Sequence, residues 1–255
     1  MTGKDEYYNR SKQEGYRARS AYKLKQLDET AGLFASGDAV VDLGAAPGGW
    51  LQVVAEAVGD AGTVVGVDRQ RIRSLDRENV ETVRGDMTEE STLSRLRETV
   101  GNRAIDAVVS DMAPNMTGEY SVDHARSVHL ARQAFDVALD LLAPGGDFVT
   151  KVFDGPDLAA LREEMEADFE YVRSVRPDAS RDSSSELYLV AKGYTTAPVE
   201  SGDELTVEIT DEGREGDGIA RVDGFTVFVP DGDVGEEVEI RIDDVKPRFA
   251  FAERR

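Results

Sequence analysis

Val40-Val41-Asp42 runs directly into Leu43-Gly44-Ala45-Ala46-Pro47-Gly48-Gly49-Trp50. An apolar run that ends in an acid, followed by a glycine-rich turn that opens a helix, is how an open α/β sheet holds a nucleotide-like ligand at the carboxyl end of its first strand. Glycine lets backbone N–H groups approach such a ligand closely, and Asp42 sets a carboxylate beside it. Two more acids follow at strand ends. Asp68 closes Val64-Val65-Gly66-Val67, about 20 residues past the turn, where a carboxylate suits ribose hydroxyls. Asp86, in Gly85-Asp86-Met87, can accept from an adenine amino group while the Met87 N–H meets the ring. Each acid alone could equally cap a helix, and the turn alone could be a bare strand–helix junction. In this order they point to an adenosyl ligand. The spacing is not G-x-G-x-x-G and Pro47 sits inside the turn, which favours S-adenosylmethionine over a dinucleotide.

Lys23, Asp111, Lys151 and Glu186 form a second set. Asp111 follows Asp106-Ala107-Val108-Val109-Ser110, Lys151 ends Gly146-Asp147-Phe148-Val149-Thr150, and Glu186 begins Leu187-Tyr188-Leu189-Val190. Lys23 lies on the helical segment around Tyr22 and Leu24. Unpaired burial of such charges is costly, so they are either two structural ion pairs or a reacting group beside the ligand.

The elements that must position these residues alternate along the chain. Strands are expected near 39–43, 63–67, 80–84, 105–110, 146–152, 169–175 and 185–192, with helices near 20–31, 48–58, 90–100, 122–143 and 156–168. That alternation predicts a mostly parallel sheet with helices on both faces. Pro144-Gly145-Gly146 is expected to end the long helix, and the last two strands to form an antiparallel hairpin at one edge. After the linker-like Thr195-Thr196-Ala197-Pro198, helical periodicity stops. Short alternating strands near 204–210, 217–222, 225–229, 236–242 and 247–252 read as a five-stranded β-barrel. The expected domains are therefore 1–195 and 196–255.

The formal charge of −21 argues against nucleic acid until its distribution is considered. Residues 1–25 carry seven basic side chains against three acids and include Tyr7, Tyr8, Tyr16 and Tyr22. An acidic chain with only seven lysines against 23 arginines resembles proteins of salt-loving cytoplasms. There is no cysteine, hence no disulfide and no thiolate metal site. His124 and His129 are read as exposed or packed, and no metal is expected. No signal-peptide core and no run of about 18 apolar residues occurs, so the cytoplasm is the expected location.

Five segments together resemble the FtsJ/RrmJ family of RNA ribose 2′-O-methyltransferases over roughly residues 5–192. They are Tyr16-Arg17-Ala18-Arg19-Ser20-Ala21-Tyr22-Lys23-Leu24, Asp42 to Trp50, Ser110-Asp111-Met112-Ala113-Pro114-Asn115, Thr150-Lys151-Val152-Phe153 and Ser183-Ser184-Ser185-Glu186-Leu187-Tyr188. The resemblance implies a Rossmann-like α/β methyltransferase sheet, S-adenosylmethionine as cofactor, and a Lys-Asp-Lys-Glu tetrad at Lys23, Asp111, Lys151 and Glu186. Cofactor contacts are expected from Asp42, Gly44, Ala45, Pro47, Gly48, Gly49, Trp50, Asp68, Asp86, Met87 and Asp111. The members it is most similar to methylate a uridine of large-subunit ribosomal RNA, and transfer RNA enzymes share the same motifs. A ribose hydroxyl is a poor nucleophile at neutral pH, so it must be oriented and its proton taken. Lys151 is the expected acceptor, oriented by Asp111, with Lys23 and Glu186 holding the ribose. Arg17, Arg19, Tyr22, Asn115 and Tyr120 are the expected RNA contacts. Residues 196–255 resemble a TRAM domain, a small barrel associated with RNA-modifying enzymes, through Gly216-Asp217-Gly218, Gly224-Phe225-Thr226-Val227-Phe228 and Phe249-Ala250-Phe251. Arg221, Lys246, Arg248, Arg254 and Arg255 with Phe225 or Phe228 could form its RNA face, although at least one phenylalanine is expected in the core. Ribosomal RNA, within the large subunit, is the expected partner of a monomer. A ribosome-assembly factor without catalysis and a small-molecule methyltransferase are the rival readings.

Overall fold

The computed structural model describes residues 3–181, 184–213 and 216–255, so Ser183 of the serine run lies outside them. Through Tyr194 the elements are α1 (Gly3–Gln13), α2 (Ala21–Ala31), β1 (Ala39–Leu43), α3 (Gly49–Val58), β2 (Thr63–Asp68), β3 (Val80–Arg84), α4 (Glu90–Val100), β4 (Ile105–Ser110), α5 (Tyr120–Leu141), β5 (Leu142–Phe153), α6 (Leu158–Glu166), β6 (Phe169–Val175) and β7 (Glu186–Tyr194). The strands form one sheet in the order β3-β2-β1-β4-β5-β7-β6. β1 to β5 are parallel, and β7 runs antiparallel between β5 and the edge strand β6.

β1 is buried at every position, as a central parallel strand covered on both faces must be. Strand alternation sends Val108 and Phe148 to one face, where they meet Leu96, Val128 and Leu161 of α4, α5 and α6. Ala107, Val109 and Val149 face the other way, onto Leu24, Leu27, Leu51 and Val54 of α2 and α3. α3 lies close to the sheet because β2 carries Gly66. A Cβ there would stand 2.8 Å from Leu51.

Residues 204–254 form a closed barrel in the order β10-β12-β11-β8-β9. Its strands are β8 (Glu204–Glu212), β9 (Gly218–Val222), β10 (Phe225–Val229), β11 (Glu237–Val245) and β12 (Phe249–Arg254). Alternation fills the interior with Ile209, Val227, Val229, Ile240 and Ile242 and leaves acids outside.

Two local expectations differ from the structure. α1 has no counterpart among the sequence-derived helices, because GKDEYYNRSKQ has no continuous apolar stripe. It is held instead by contacts such as Tyr7 on Tyr22, ring centroids 5.5 Å apart. Pro144-Gly145-Gly146 does not end the long helix, which stops at Leu141. The three residues form a bulge within β5, where pairing with β4 jumps from Ile105↔Leu142 to Ala107↔Asp147.

Candidate active site

Parallel strands bring their carboxyl ends to one edge of the sheet. Asp42, Asp68, Asp111 and Lys151 gather there from β1, β2, the end of β4 and β5. β7 runs the other way, so its first residue, Glu186, arrives at the same edge, paired with Phe153, and Tyr188 lies opposite Lys151. α2 adds Lys23 from one face.

These groups form two ion pairs, buried except at Asp111, which stays partly open to solvent. The Lys151 ammonium donates to Asp111 Oδ1 at 2.8 Å and to the Asp111 carbonyl at 2.5 Å. The Lys23 ammonium is 2.5 Å from Glu186 Oε1. Tyr188 joins the pairs. Its hydroxyl donates to Asp111 Oδ1 at 2.7 Å, and Lys23 Nζ lies 6.0 Å from its ring centroid. Burial pushes the Tyr188 hydroxyl well up from its ordinary pKa, with the Asp111 charge adding to the shift, so the phenol stays a donor. Desolvation can exceed the attraction within a buried pair, so stability alone is a weak reason for two such pairs in one small region.

A cavity of about 300 Å³ opens beside Asp111, lined among others by Gly44, Ala46, Asp68, Asp86, Met87 and Met112. That is the lower end of the range of small-ligand sites, about 300–1,000 Å³. Three observations fit an adenosyl sulfonium. Gly44, at φ 78°, keeps the turn low; a Cβ would stand 2.3 Å from Met112 Cγ. Asp42 is fully buried, and its Oδ2 has no hydrogen-bond partner. Burial pushes the Asp42 carboxyl well above the usual range, and Asp111 and Asp68 raise it further; a bound cation relieves that repulsion. Asp68 takes the Ala46 N–H at 2.9 Å and the Gln70 N–H at 2.6 Å. Asp86 is held at Oδ1 by the Thr88 N–H and hydroxyl, bonds that lower its pKa and keep it ionised.

A family model described as FtsJ-like methyltransferase matches residues 16–194. The chain belongs to this family. It is a methyltransferase, and a second model, the TRAM domain, matches residues 198–254. A protein of Halorubrum lacusprofundi named ribosomal RNA large subunit methyltransferase E is 69% identical over 254 residues, covering 100% of this chain and 94% of that protein. The protein of the same name from Natronomonas pharaonis is 66% identical, covering 99% of each. That of Methanosarcina mazei is 46% identical, covering 98% of this chain and 92% of its own. Among solved structures, one described as a ribosomal RNA methyltransferase of Plasmodium falciparum aligns with a TM-score of 0.63 at 26% identity, covering 70% of this chain and 98% of that one.

Within this FtsJ-like frame several expected contacts take other parts. Trp50 is buried away from the cavity, its indole N–H on the Ser20 carbonyl at 2.9 Å and its ring against Tyr188. Gly48 and Gly49 make room for their neighbours: added Cβ atoms would meet Arg17 and Ala18. Ala45 donates its N–H to the Val67 carbonyl, tying the turn to β2, and Pro47 offers its carbonyl to Arg17.

Of the expected RNA contacts, Tyr22 is 3% exposed, packed between Tyr7 and Tyr16, and cannot stack on a base. Arg17 already donates to the carbonyls of Pro47, Arg73 and Ser74, which clasps the turn to the segment after β2. Arg19 donates to the Ala179 carbonyl at 2.7 Å. Asn115 is exposed, and Tyr120, 59% exposed, bonds the Asp154 carbonyl at the rim. His124 is packed, between the Phe153 carbonyl and Asp157, while His129 is exposed. In the barrel, Phe225 packs on the core, whereas Phe228, Phe249 and Phe251 cluster outside it, Phe249 meeting the other two edge-on.

Tyr188 is the residue that the sequence reading left without a role. The available signal was its spacing: two positions past Glu186 on one strand puts both side chains on the same face.

Proposed function

We propose that the protein transfers the methyl group of S-adenosylmethionine to the ribose 2′-hydroxyl of a uridine in large-subunit ribosomal RNA. The observation that carries this reading is the hydrogen-bonded Lys151–Asp111–Tyr188 group at the margin of a cavity to which Asp111 also belongs. The printed names of the relatives support ribosomal RNA as substrate. Gly44, Asp42, Asp68, Asp86 and Met87 would hold the cofactor, which supplies an electrophilic methyl and a positive sulfonium when bound. The Lys151 amine takes the hydroxyl proton as general base. Asp111 fixes the direction of that amine. Lys23 and Glu186 hold the ribose, and Tyr188 keeps the two pairs in register.

The RNA lies across Arg19, Asn115, Tyr120 and the exposed Tyr8 of α1. The outer phenylalanines of the barrel offer further stacking. In concentrated salt, counterion release contributes little, so stacking and directional arginine contacts carry the binding. The protein works as a cytoplasmic monomer without a metal, with the catalytic part within 1–195 and the RNA-holding barrel within 196–255. No helix among the described residues is long and apolar enough to cross a membrane.

The test offers purified protein, in high salt with labelled S-adenosylmethionine, unmodified large subunits, naked ribosomal RNA and transfer RNA. Nucleoside mass spectrometry then locates the label. A 2′-O-methyluridine in large-subunit RNA is expected. Label confined to transfer RNA overturns the substrate, and label on a base overturns the chemistry.

A further inference from the structure

β4 ends at Ser110, paired with Thr150, but β5 runs on to Phe153. One edge of this overhang pairs with β7, Phe153 against Glu186, while the other is no longer flanked by β4. Lys151 lies on the overhang. Two buried side chains of α5 take the place of the missing strand. The Ser127 hydroxyl oxygen accepts the Phe153 N–H at 3.1 Å, and His124 Nδ1 lies 3.0 Å from the Phe153 carbonyl oxygen. Ser127 in turn donates its hydroxyl to the His124 carbonyl at 2.8 Å. One helix therefore holds both backbone groups of Phe153, two residues past Lys151.

The Phe153 carbonyl can only accept, so Nδ1 of His124 carries the hydrogen. Nε2 is then free to accept the Asp157 N–H at 3.2 Å, at the start of α6; the Asp157 carboxylate oxygen Oδ2 also lies 3.2 Å from it. The neutral ring uses both nitrogens and is only 2% exposed. Gly155 permits this approach, because a Cβ there would stand 2.5 Å from Nδ1. Tyr120 covers the ring, stacked at a centroid distance of 6.3 Å, and donates its hydroxyl to the Asp154 carbonyl. Asp123, the neighbour of His124, accepts the Thr117 and Gly118 N–H groups at 2.8 and 3.0 Å. The first turns of α5 thus fix both segments that leave the catalytic edge, the one after β4 and the one after β5. An apolar side chain at position 124 could fill the same space, but it would leave the buried Phe153 carbonyl without its donor.

We infer that His124 is a positioning residue for methyl transfer: its Nδ1–H grips the overhang of β5 at the Phe153 carbonyl and so keeps the Lys151 amine directed onto Asp111. This rests on the reading of Lys151 given above and adds what holds that lysine in place. The effect belongs to rate rather than to binding. His124 does not line the cofactor cavity, and a reacting group displaced by about 1 Å can lose about a hundredfold in rate.

The test compares His124→Leu, His124→Asn and His124→Gln in the full chain, in high salt, on the RNA that the wild type methylates. Tm and cofactor Kd are measured beside kcat and KM. The leucine side chain fills space and donates nothing. An asparagine carboxamide sets its N–H₂ where Nδ1 stands, whereas a glutamine carboxamide reaches towards the position of Nε2. In His124→Leu and His124→Gln, kcat is expected to fall about tenfold or more, with KM and cofactor Kd within a few-fold of wild type. His124→Asn should recover most of that loss. Packing alone would order kcat by Tm, and the donor at Nδ1 would then make no difference. Should His124→Leu fail to fold, the comparison of His124→Asn with His124→Gln decides. Wild-type kcat in His124→Gln overturns the inference, as does a loss equally large in His124→Asn or one confined to KM or Kd. Lys151→Ala in the same assay separates the two levels. If it is inactive, any such failure falls on His124 alone; if it keeps its rate, the catalytic reading fails and the inference falls with it.

Discussion

Replacing Tyr188 by Phe removes one hydroxyl from the centre of the site and leaves the ring that packs against Trp50. That hydroxyl and Lys151 Nζ donate to the same oxygen, Asp111 Oδ1, at 2.7 and 2.8 Å. A hydrogen bond to a charged group contributes about 1.5–3 kcal/mol. Without it Asp111 Oδ1 is held by Lys151 alone, and the carboxylate and the amine it directs are less firmly fixed. If about 1.4 kcal/mol of that is lost from the transition state, the rate falls about tenfold. kcat should therefore fall about tenfold, with KM for the RNA within a few-fold. Cofactor affinity should be unchanged, because Tyr188 does not line the cavity. The assay is methyl transfer over a range of RNA concentrations, with cofactor Kd from calorimetry. A kcat within twofold of wild type, or a loss that appears only in KM or in cofactor Kd, refutes the coupling of Tyr188 to Lys151 through Asp111.

Three further outcomes follow from the same geometry. Glu186→Ala leaves Lys23 buried without its partner and should cost about 3–5 kcal/mol in urea unfolding, whereas the double change Lys23→Met with Glu186→Leu should cost less while abolishing activity. Asp42 has a folded pKa raised above its ordinary 3.8, so ionising it opposes folding. The stability gained by Asp42→Asn should thus be absent below about pH 4, grow as pH rises from there towards the folded pKa, and level off above it, as read by Tm against pH. Cofactor Kd should rise in the same variant. Gly44→Ala adds a Cβ 2.3 Å from Met112 Cγ at a positive φ, and should weaken cofactor binding at least tenfold by forcing Met112 into the cavity, measured by calorimetry.

The strands were legible because central parallel strands write themselves as apolar runs, as in Val40-Val41 and Val64-Val65, and because acids and lysines at their ends stand out. Asp42, Asp111, Lys151 and Glu186 were readable for that reason and do meet at one edge. Tyr188 was hidden because a tyrosine within an apolar strand reads as core until its hydroxyl's partner is known. The packing of Arg17 and Tyr22 was not readable, because basic and aromatic composition does not say which way a side chain points. Tyr22 faces inward from α2, and Arg17 finds three carbonyls within the fold. The barrel was readable from period-two alternation, but its seat was not, because it depends on Arg248 meeting a carbonyl about a hundred residues earlier in the chain. The sequence reading likewise took Phe228 as one candidate, while the three-ring cluster required the pairing of β10 with β12.

The central claim is that Lys151, held by Asp111, takes the proton of a ribose hydroxyl. The most direct measurement compares wild type with Lys151→Ala on large-subunit ribosomal RNA, mapping the methyl group to the atom and measuring cofactor Kd in parallel. A 2′-O-methyl mark that disappears in the variant while Kd stays within a few-fold is the predicted result. A variant that still methylates at near wild-type rate, or a methyl group found on a base, contradicts the account.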